Sequence, residues 1–320
     1  MMKIISSLPS PEQLKKEHPI SNTSHELKKQ RDIEISDIFN GISKKFLLIV
    51  GPCSADNPDA VLEYTCLLAD IAKEVSDSII IIPRVYTAKP RTASSGYMGL
   101  VHETNGIESA RRLHLDVLKT SGLSSSDELL YPALYPYFDD IISYYAIGAR
   151  SSENQEHRLV ASGIDIPVGI KNPMCGNLES LTKAVCAVKT PHSIIYGGNI
   201  IQTDGNSLAH VVLRGGLSPN YHEKNLMHLY QTGQHTVIID TNHGNSGKNP
   251  AKQPGIAREI LSDMRKNPVI KGLVKGLMIE SYLKTGSQAE DGKVYGMSIT
   301  DACLGFEETR RLIYDIAELL

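Results

Sequence analysis

The chain has 320 residues, a length that allows one large barrel or two ordinary domains. Its 33 Lys and Arg nearly balance its 36 Asp and Glu, for a net charge of −3. That balance excludes a broad nucleic-acid or membrane footprint, so an anionic ligand must be met by a local cluster of cations.

Taken from the start, residues 1–45 are polar and interrupted by prolines. They predict an N-terminal arm with one amphipathic helix over ELKKQRDIEISDIF, packed outside a main domain of residues 46–320. The opening MMKIISSLPSPEQ is a poor secretory signal, and no apolar run approaches ~18 residues. The five cysteines are odd in number and lack a CxxC pair, which favours a reducing compartment. A cytoplasmic protein is the expectation.

From residue 46 short apolar runs recur: FLLIV (46–50), IIIIPRV (79–85), ELLYPAL (128–134), YAIGAR (145–150), PVGIK (167–171), SIIY (193–196), TVIID (236–240) and GLMIE (276–280). Each is bounded by Gly, Pro, Asn or charge, as buried parallel strands are. Helical stretches lie between most of them, among them PDAVLEYTCLLADIAKEV, with Pro58 at its first turn, and NGIESARRLHLDVLKTSG, ending at Gly122. Eight strands alternating with helices predict an α/β fold, a (β/α)8 TIM barrel with an N-terminal extension. A doubly wound open sheet is the alternative, weakened because no GxGxxG follows the first strand.

In such a barrel the chemistry sits at the C-terminal ends of the strands. Two groups of residues fall there. Arg84, Lys89, Arg91, Arg150, Lys171 and Arg214 are six cations aimed at one rim, suited to phosphate and carboxylate oxygens. Cys53, His243, Glu280 and Asp301 combine one soft and three harder donors, suited to a divalent transition metal. Singly these residues are bland: a buried cysteine is usually a small hydrophobe, and an Asp before a terminal helix is usually a cap. Their coincidence at strand ends carries the functional reading. Cys66 and Cys186 fall in helical patterns and are read as core, and His102, His157, His192 and His210 as structural.

GPCS, PRVYTAKPRT, AIGARSSENQEHR, PVGIKN, LRGG, DTNHGNS, ESYL and SITDAC, in this order, resemble the motifs of type I 3-deoxy-D-arabino-heptulosonate-7-phosphate (DAHP) synthases, in the larger, regulated subgroup. The resemblance runs from about residue 8 to the end. It implies condensation of phosphoenolpyruvate with erythrose 4-phosphate, dependent on Mn2+, Fe2+ or Co2+ held by Cys53, His243, Glu280 and Asp301. Arg84, Lys89, Glu128, Arg150, Lys171 and Arg214 would bind phosphoenolpyruvate. Arg91 and Thr92 would hold the phosphate of the acceptor, and Asp301 also stands on the substrate side. Lys89 is implied as proton donor to the aldehyde oxygen, and the catalytic set is Lys89, Cys53 and His243. The arm implies a homodimer or homotetramer.

The chain departs from the family pattern in LLYPALYPYF, where a Pro-Gln pair is usual, in SSGYMGLVHETNG, in SIIYGGNIIQTDGNS and in KNPMCGN. These changes spare the implied ligands and cations, and predict weak, absent or altered inhibition by aromatic amino acids. Three rival functions remain: a same-fold synthase using another sugar phosphate, a Schiff-base aldolase with Lys171 as nucleophile, and a non-catalytic paralogue that binds metabolites and regulates a partner.

Overall fold

The computed structural model describes residue 1, residues 3–91 and residues 96–320. Eight parallel strands form one sheet: β1 (Phe46–Gly51), β2 (Ile79–Pro83), β3 (Ser125–Glu128), β4 (Ile142–Ile147), β5 (Val168–Lys171), β8 (His210–Leu213), β9 (Val237–Asp240) and β10 (Val274–Glu280). A separate antiparallel hairpin joins β6 (Ser193–Tyr196) to β7 (Asn199–Gln202). Going round the sheet, the order is β2-β1-β10-β9-β8-β5-β4-β3. The two end strands meet through a single parallel bridge, Arg84 to Ser126, and the Val85 N–H donates to Ser126 O at 2.9 Å. This closes the sheet into a (β/α)8 barrel, as expected.

Strands such as β1 and β2 are buried on both faces, so they read as continuous apolar runs. Alternate residues face inward: Leu47, Ile49, Ile80, Ile82, Tyr144, Ala146, Val212, Ile238 and Met278 fill the barrel interior. The others pack against the surrounding helices. The N-terminal segment holds two helices, Pro11–Glu17 and Asn22–Phe39, where one was expected. The second contributes Ile35, Ile38 and Phe39 to the interior cluster and so closes the barrel floor.

Two expected strands were misplaced. ELLYPAL was read as the third, but the strand is Ser125–Glu128 and Pro132–Leu134 is a 3-10 turn. The strand's polar residues are buried because each has a partner. Ser125 Oγ lies 2.7 Å from His114 Nδ1, Ser126 Oγ donates to Pro83 O at 3.1 Å, and Asp127 Oδ2 accepts from Thr87 Oγ1 at 2.6 Å. Glu128 therefore ends its strand, as the rim rule demands. SIIY was read as the sixth strand but belongs to the hairpin, where Gly197 and Gly198 supply the two positive φ values a tight turn needs. Its place is taken by HVVL, which runs directly into Arg214. Cys66 and Cys186 are exposed rather than core. Among the described residues no helix is long and apolar enough to cross a membrane.

Candidate active site

The loops following the strands surround a cavity of about 270 Å³ lined by Lys89, Pro90, Arg91, Glu128, Gly148, Ala149, Arg150, Lys171, Met174, Arg214, His243, Lys248, Thr300 and Asp301. Five of the six expected cations line it. The sixth, Arg84, lies just beneath, fully buried. Its Nη2 donates to Glu280 Oε1 at 3.0 Å, its Nε to Pro52 O, and its guanidinium carbon sits 4.1 Å from the Tyr86 ring centroid. Arg91 is steered by a bond from its Nε to Tyr97 O at 2.8 Å. Arg150 lies past the end of β4, on the loop, rather than at the strand terminus. Glu128 faces Gly148, where any Cβ would overlap its carboxylate. Thr92 lies outside the described residues.

One wall of the site is anionic. Ligand atoms of Cys53, Glu280 and Asp301 lie within 4.8 Å of one another. His243 Nε2 is 3.6 Å from Glu280 Oε1, while its Nδ1 is 2.9 Å from Asp240 Oδ2. His243 reaches this position with φ of 49°, an uncommon conformation for a residue other than glycine and one that tends to mark functional sites. Asp240 stands behind one ring nitrogen, as carboxylates do behind metal-bound histidines, but among the described residues Nδ1 makes no hydrogen bond, and His243 lies beside the Cys53, Glu280 and Asp301 cluster, next to Glu280, rather than within it. The clustered thiol and two carboxylates, with the imidazole of His243 beside them, suit a divalent transition metal by donor type.

Charge is tightly balanced here. Burial pushes the Cys53 thiol upward, and Glu280 adds to that push. Burial also opposes ionisation of Glu280, yet His243, Arg84 and Lys89 outweigh it and hold the carboxyl below its usual range. Asp240 is held well below that range, again against burial, by His243 and Lys171. Burial disfavours the Lys89 ammonium, but Cys53 and Glu280 win and raise its pKa; its Nζ lies 2.7 Å from Cys53 Sγ.

Two charged residues of the site carried no role in the sequence reading. Asp240 binds Lys171 Nζ at 3.0 Å and faces His243, linking the cationic and anionic walls. Lys248 lines the cavity and pairs with Asp301 at 2.9 Å. Both belong to the DTNHGNSGK stretch, whose density of polar residues directly after an apolar strand was the available signal.

A closed parallel barrel with clustered cations beside a Cys, His and carboxylate set at its C-terminal mouth defines a class: barrel enzymes that act on anionic small molecules. A model of the DAHP synthetase I family matches residues 17–313. The Tyr-sensitive phospho-2-dehydro-3-deoxyheptonate aldolase of Escherichia coli (strain K12) is 36% identical over 332 residues, 97% of this chain and 92% of the relative. The phospho-2-dehydro-3-deoxyheptonate aldolase of Corynebacterium glutamicum is 34% identical over 338 residues, 97% of this chain and 91% of its own. A solved phospho-2-dehydro-3-deoxyheptonate aldolase from Francisella tularensis SCHU S4 superposes with a TM-score of 0.94 at 33% identity, covering 100% of this chain and 98% of that one. The chain belongs to the DAHP synthetase I family, and it is an enzyme of the DAHP synthase type, at the head of aromatic amino acid biosynthesis.

Proposed function

We propose that the enzyme condenses phosphoenolpyruvate with D-erythrose 4-phosphate and water, giving DAHP and phosphate. The observation that carries this reading is the meeting of Lys89, Arg91, Arg150, Lys171 and Arg214 around one cavity beside the Cys53, Glu280 and Asp301 cluster. Two phosphorylated substrates need that many cations in one place. Cys53, His243, Glu280 and Asp301 would hold Mn2+, Fe2+ or Co2+, which when bound supplies Lewis-acid polarisation of the aldehyde.

In this scheme Arg150, Lys171 and Arg214 take the phosphate of phosphoenolpyruvate, with Arg84, Lys89 and Glu128 completing its subsite. Arg91 and Thr92 take the phosphate of the acceptor. Held this way, C3 of phosphoenolpyruvate faces the aldehyde carbon, and orientation lowers the entropic part of the barrier. As the carbon–carbon bond forms, the aldehyde oxygen gains negative charge. Lys89, kept protonated by its anionic neighbours, donates a proton to it. Water adds at C2, and phosphate leaves from C2 toward the cationic wall. A Schiff-base route is less suited to this site, since Lys171 is buried and ion-paired with Asp240.

The test is phosphoenolpyruvate consumption in the presence of erythrose 4-phosphate, with and without a chelator. Chelation should abolish turnover, and Mn2+, Fe2+ or Co2+ should restore it. Cys53→Ala should be inactive yet melt at close to the wild-type temperature. Undiminished turnover in metal-stripped protein defeats this reading. Preference for arabinose 5-phosphate over erythrose 4-phosphate would favour a same-fold synthase with another acceptor.

A further inference from the structure

Beyond Lys171 and Leu213 the ladders joining β5, β8 and β9 dwindle to the Asn172 N–H on Val212 O and the Asn245 N–H on Arg214 O, each at 3.2 Å, yet the backbone at the mouth stays buried and needs further partners. Three buried asparagines supply them: Asn172 after β5, Asn220 in the loop after β8, and Asn245 after β9. Asn172 Oδ1 accepts from the Arg214 N–H at 2.8 Å and from Asn220 Nδ2 at 3.0 Å. Asn172 Nδ2 donates to Gly215 O at 2.8 Å. Asn220 Oδ1 accepts from the Gly215 N–H at 2.8 Å, and the Asn220 N–H donates to Asn245 Oδ1 at 2.9 Å. Asn245 Nδ2 donates to Leu213 O at 3.1 Å and to Asp240 O at 2.8 Å.

The amides thus tie together the backbones that carry Lys171, Arg214 and Asp240. Close packing adds to this. A Cβ on Gly215 would overlap the Gly244 backbone, and one on Gly216 would meet Gly176 Cα at 2.6 Å. Among the described residues the guanidinium of Arg214 makes one hydrogen bond, a long one to the adjacent Gly215 O at 3.3 Å, so its place is set largely through its own backbone.

We infer that Asn220, which does not line the cavity, is a positioning residue for the phosphate-binding wall. It holds Gly215 and Asn172, and through them the placement of Arg214 and Lys171. Arg91 lies across the cavity, on the loop after β2, and none of these bonds reaches it. The inference rests on the assignment of Lys171 and Arg214 to phosphoenolpyruvate. A buried amide hydrogen left without its acceptor is costly, and the loop can relieve it only by moving. Loss should therefore fall on one substrate rather than on both.

The test compares full steady-state kinetics of Asn220→Ala, Asn220→Asp and Lys171→Ala with wild type, alongside thermal melts. Asn220→Ala should raise KM for phosphoenolpyruvate about tenfold while KM for erythrose 4-phosphate stays within about twofold. Asn220→Asp keeps the acceptor for Gly215 but sets a carboxylate oxygen against Asn172 Oδ1 in place of the donor, so it should raise the same constant as well. Should the alanine variant not fold, the aspartate variant carries the test alone. An unchanged KM for phosphoenolpyruvate in a folded variant overturns the inference, as does an equal rise for both substrates. If Lys171→Ala raises KM for phosphoenolpyruvate and the Asn220 variants do not, only the positioning role falls. If none of the three does, the substrate assignment falls and takes the inference with it.

Discussion

Arg91 shows how a single side chain is prepared for its ligand. Its Nε is used by Tyr97 O, which aims the remaining guanidinium nitrogens without neutralising them, and it lines the same cavity as Lys171 and Arg214 from the loop after β2, which is not a neighbour of β5 or β8 in the sheet. If it holds the acceptor's phosphate, Arg91→Ala removes a charge-assisted contact of ~1.5–3 kcal/mol, or roughly 10- to 150-fold in affinity. The expected outcome is a KM for erythrose 4-phosphate raised on that scale with the constant for phosphoenolpyruvate little changed. Equal rises for both substrates, measured by steady-state kinetics, would show that KPRT serves the other substrate. At this scale the sequence was most legible. Arg84, Lys89, Arg91, Lys171, His243 and Glu280 could be named because each follows an apolar run at or shortly after the end of a strand, whereas Arg214 was named although its strand, HVVL, was missed. Asp240 and Asn220 could not be given roles, since their work is to hold other residues rather than to face a ligand.

The helix Asn22–Phe39 is the element whose role changed most between sequence and structure. Its Phe39 ring stacks on His210 at 4.3 Å, at the first residue of β8. His210 Nδ1 lies 2.9 Å from Leu208 O and Nε2 2.8 Å from Tyr144 Oη, so the neutral ring donates to the carbonyl and accepts from the hydroxyl. Burial pulls its pKa from 6.5 down to about 3. The sign follows: the folded state keeps His210 neutral where the unfolded chain would bind a proton. Its contribution is intact above pH 6.5 and is lost as pH falls from 6.5 toward 3. The loss approaches ~1.4 kcal/mol for each pH unit in that window. Denaturant midpoints taken from pH 7 to 4 should fall steeply for wild type and less steeply for His210→Gln, whatever the variant's stability at pH 7. Parallel slopes would remove His210 from the acid response.

At the scale of the whole molecule, two departures from the family pattern lie close together, beside the N-terminal arm. Tyr196 of the hairpin donates to Pro132 O at 2.7 Å, and Tyr137 donates to Pro9 O at 2.7 Å. The hairpin, the 132–138 turns and the arm therefore share one side of the barrel. The hairpin exposes Ile195 and Ile200, and the arm exposes Ile4 and Ile5. Isoleucines on a two-stranded hairpin, with no third layer to cover them, are an unfavourable surface for a lone chain. We expect a homodimer or homotetramer. Sedimentation velocity at micromolar concentration is the check, and a single monomeric species would contradict it.

The sequence by itself determined the barrel and most of its rim, because both rest on local signals. Runs such as FLLIV and TVIID mark strands buried on both faces, and a strand end followed by Arg, Lys or His marks the mouth. It could not determine β3, whose Ser125, Ser126 and Asp127 are buried only because His114, Pro83 and Thr87 come to meet them. Nor could it separate the SIIY hairpin from a barrel strand, since four apolar residues look alike until their neighbours are known. The same holds for the floor, where Ile35, Ile38 and Phe39 meet strands far along the chain. The asparagines at the mouth are a further case: Asn172, Asn220 and Asn245 find one another only once β5, β8 and β9 stand side by side. Periodicity reports what a residue needs buried, whereas the tertiary structure alone decides what it is buried against.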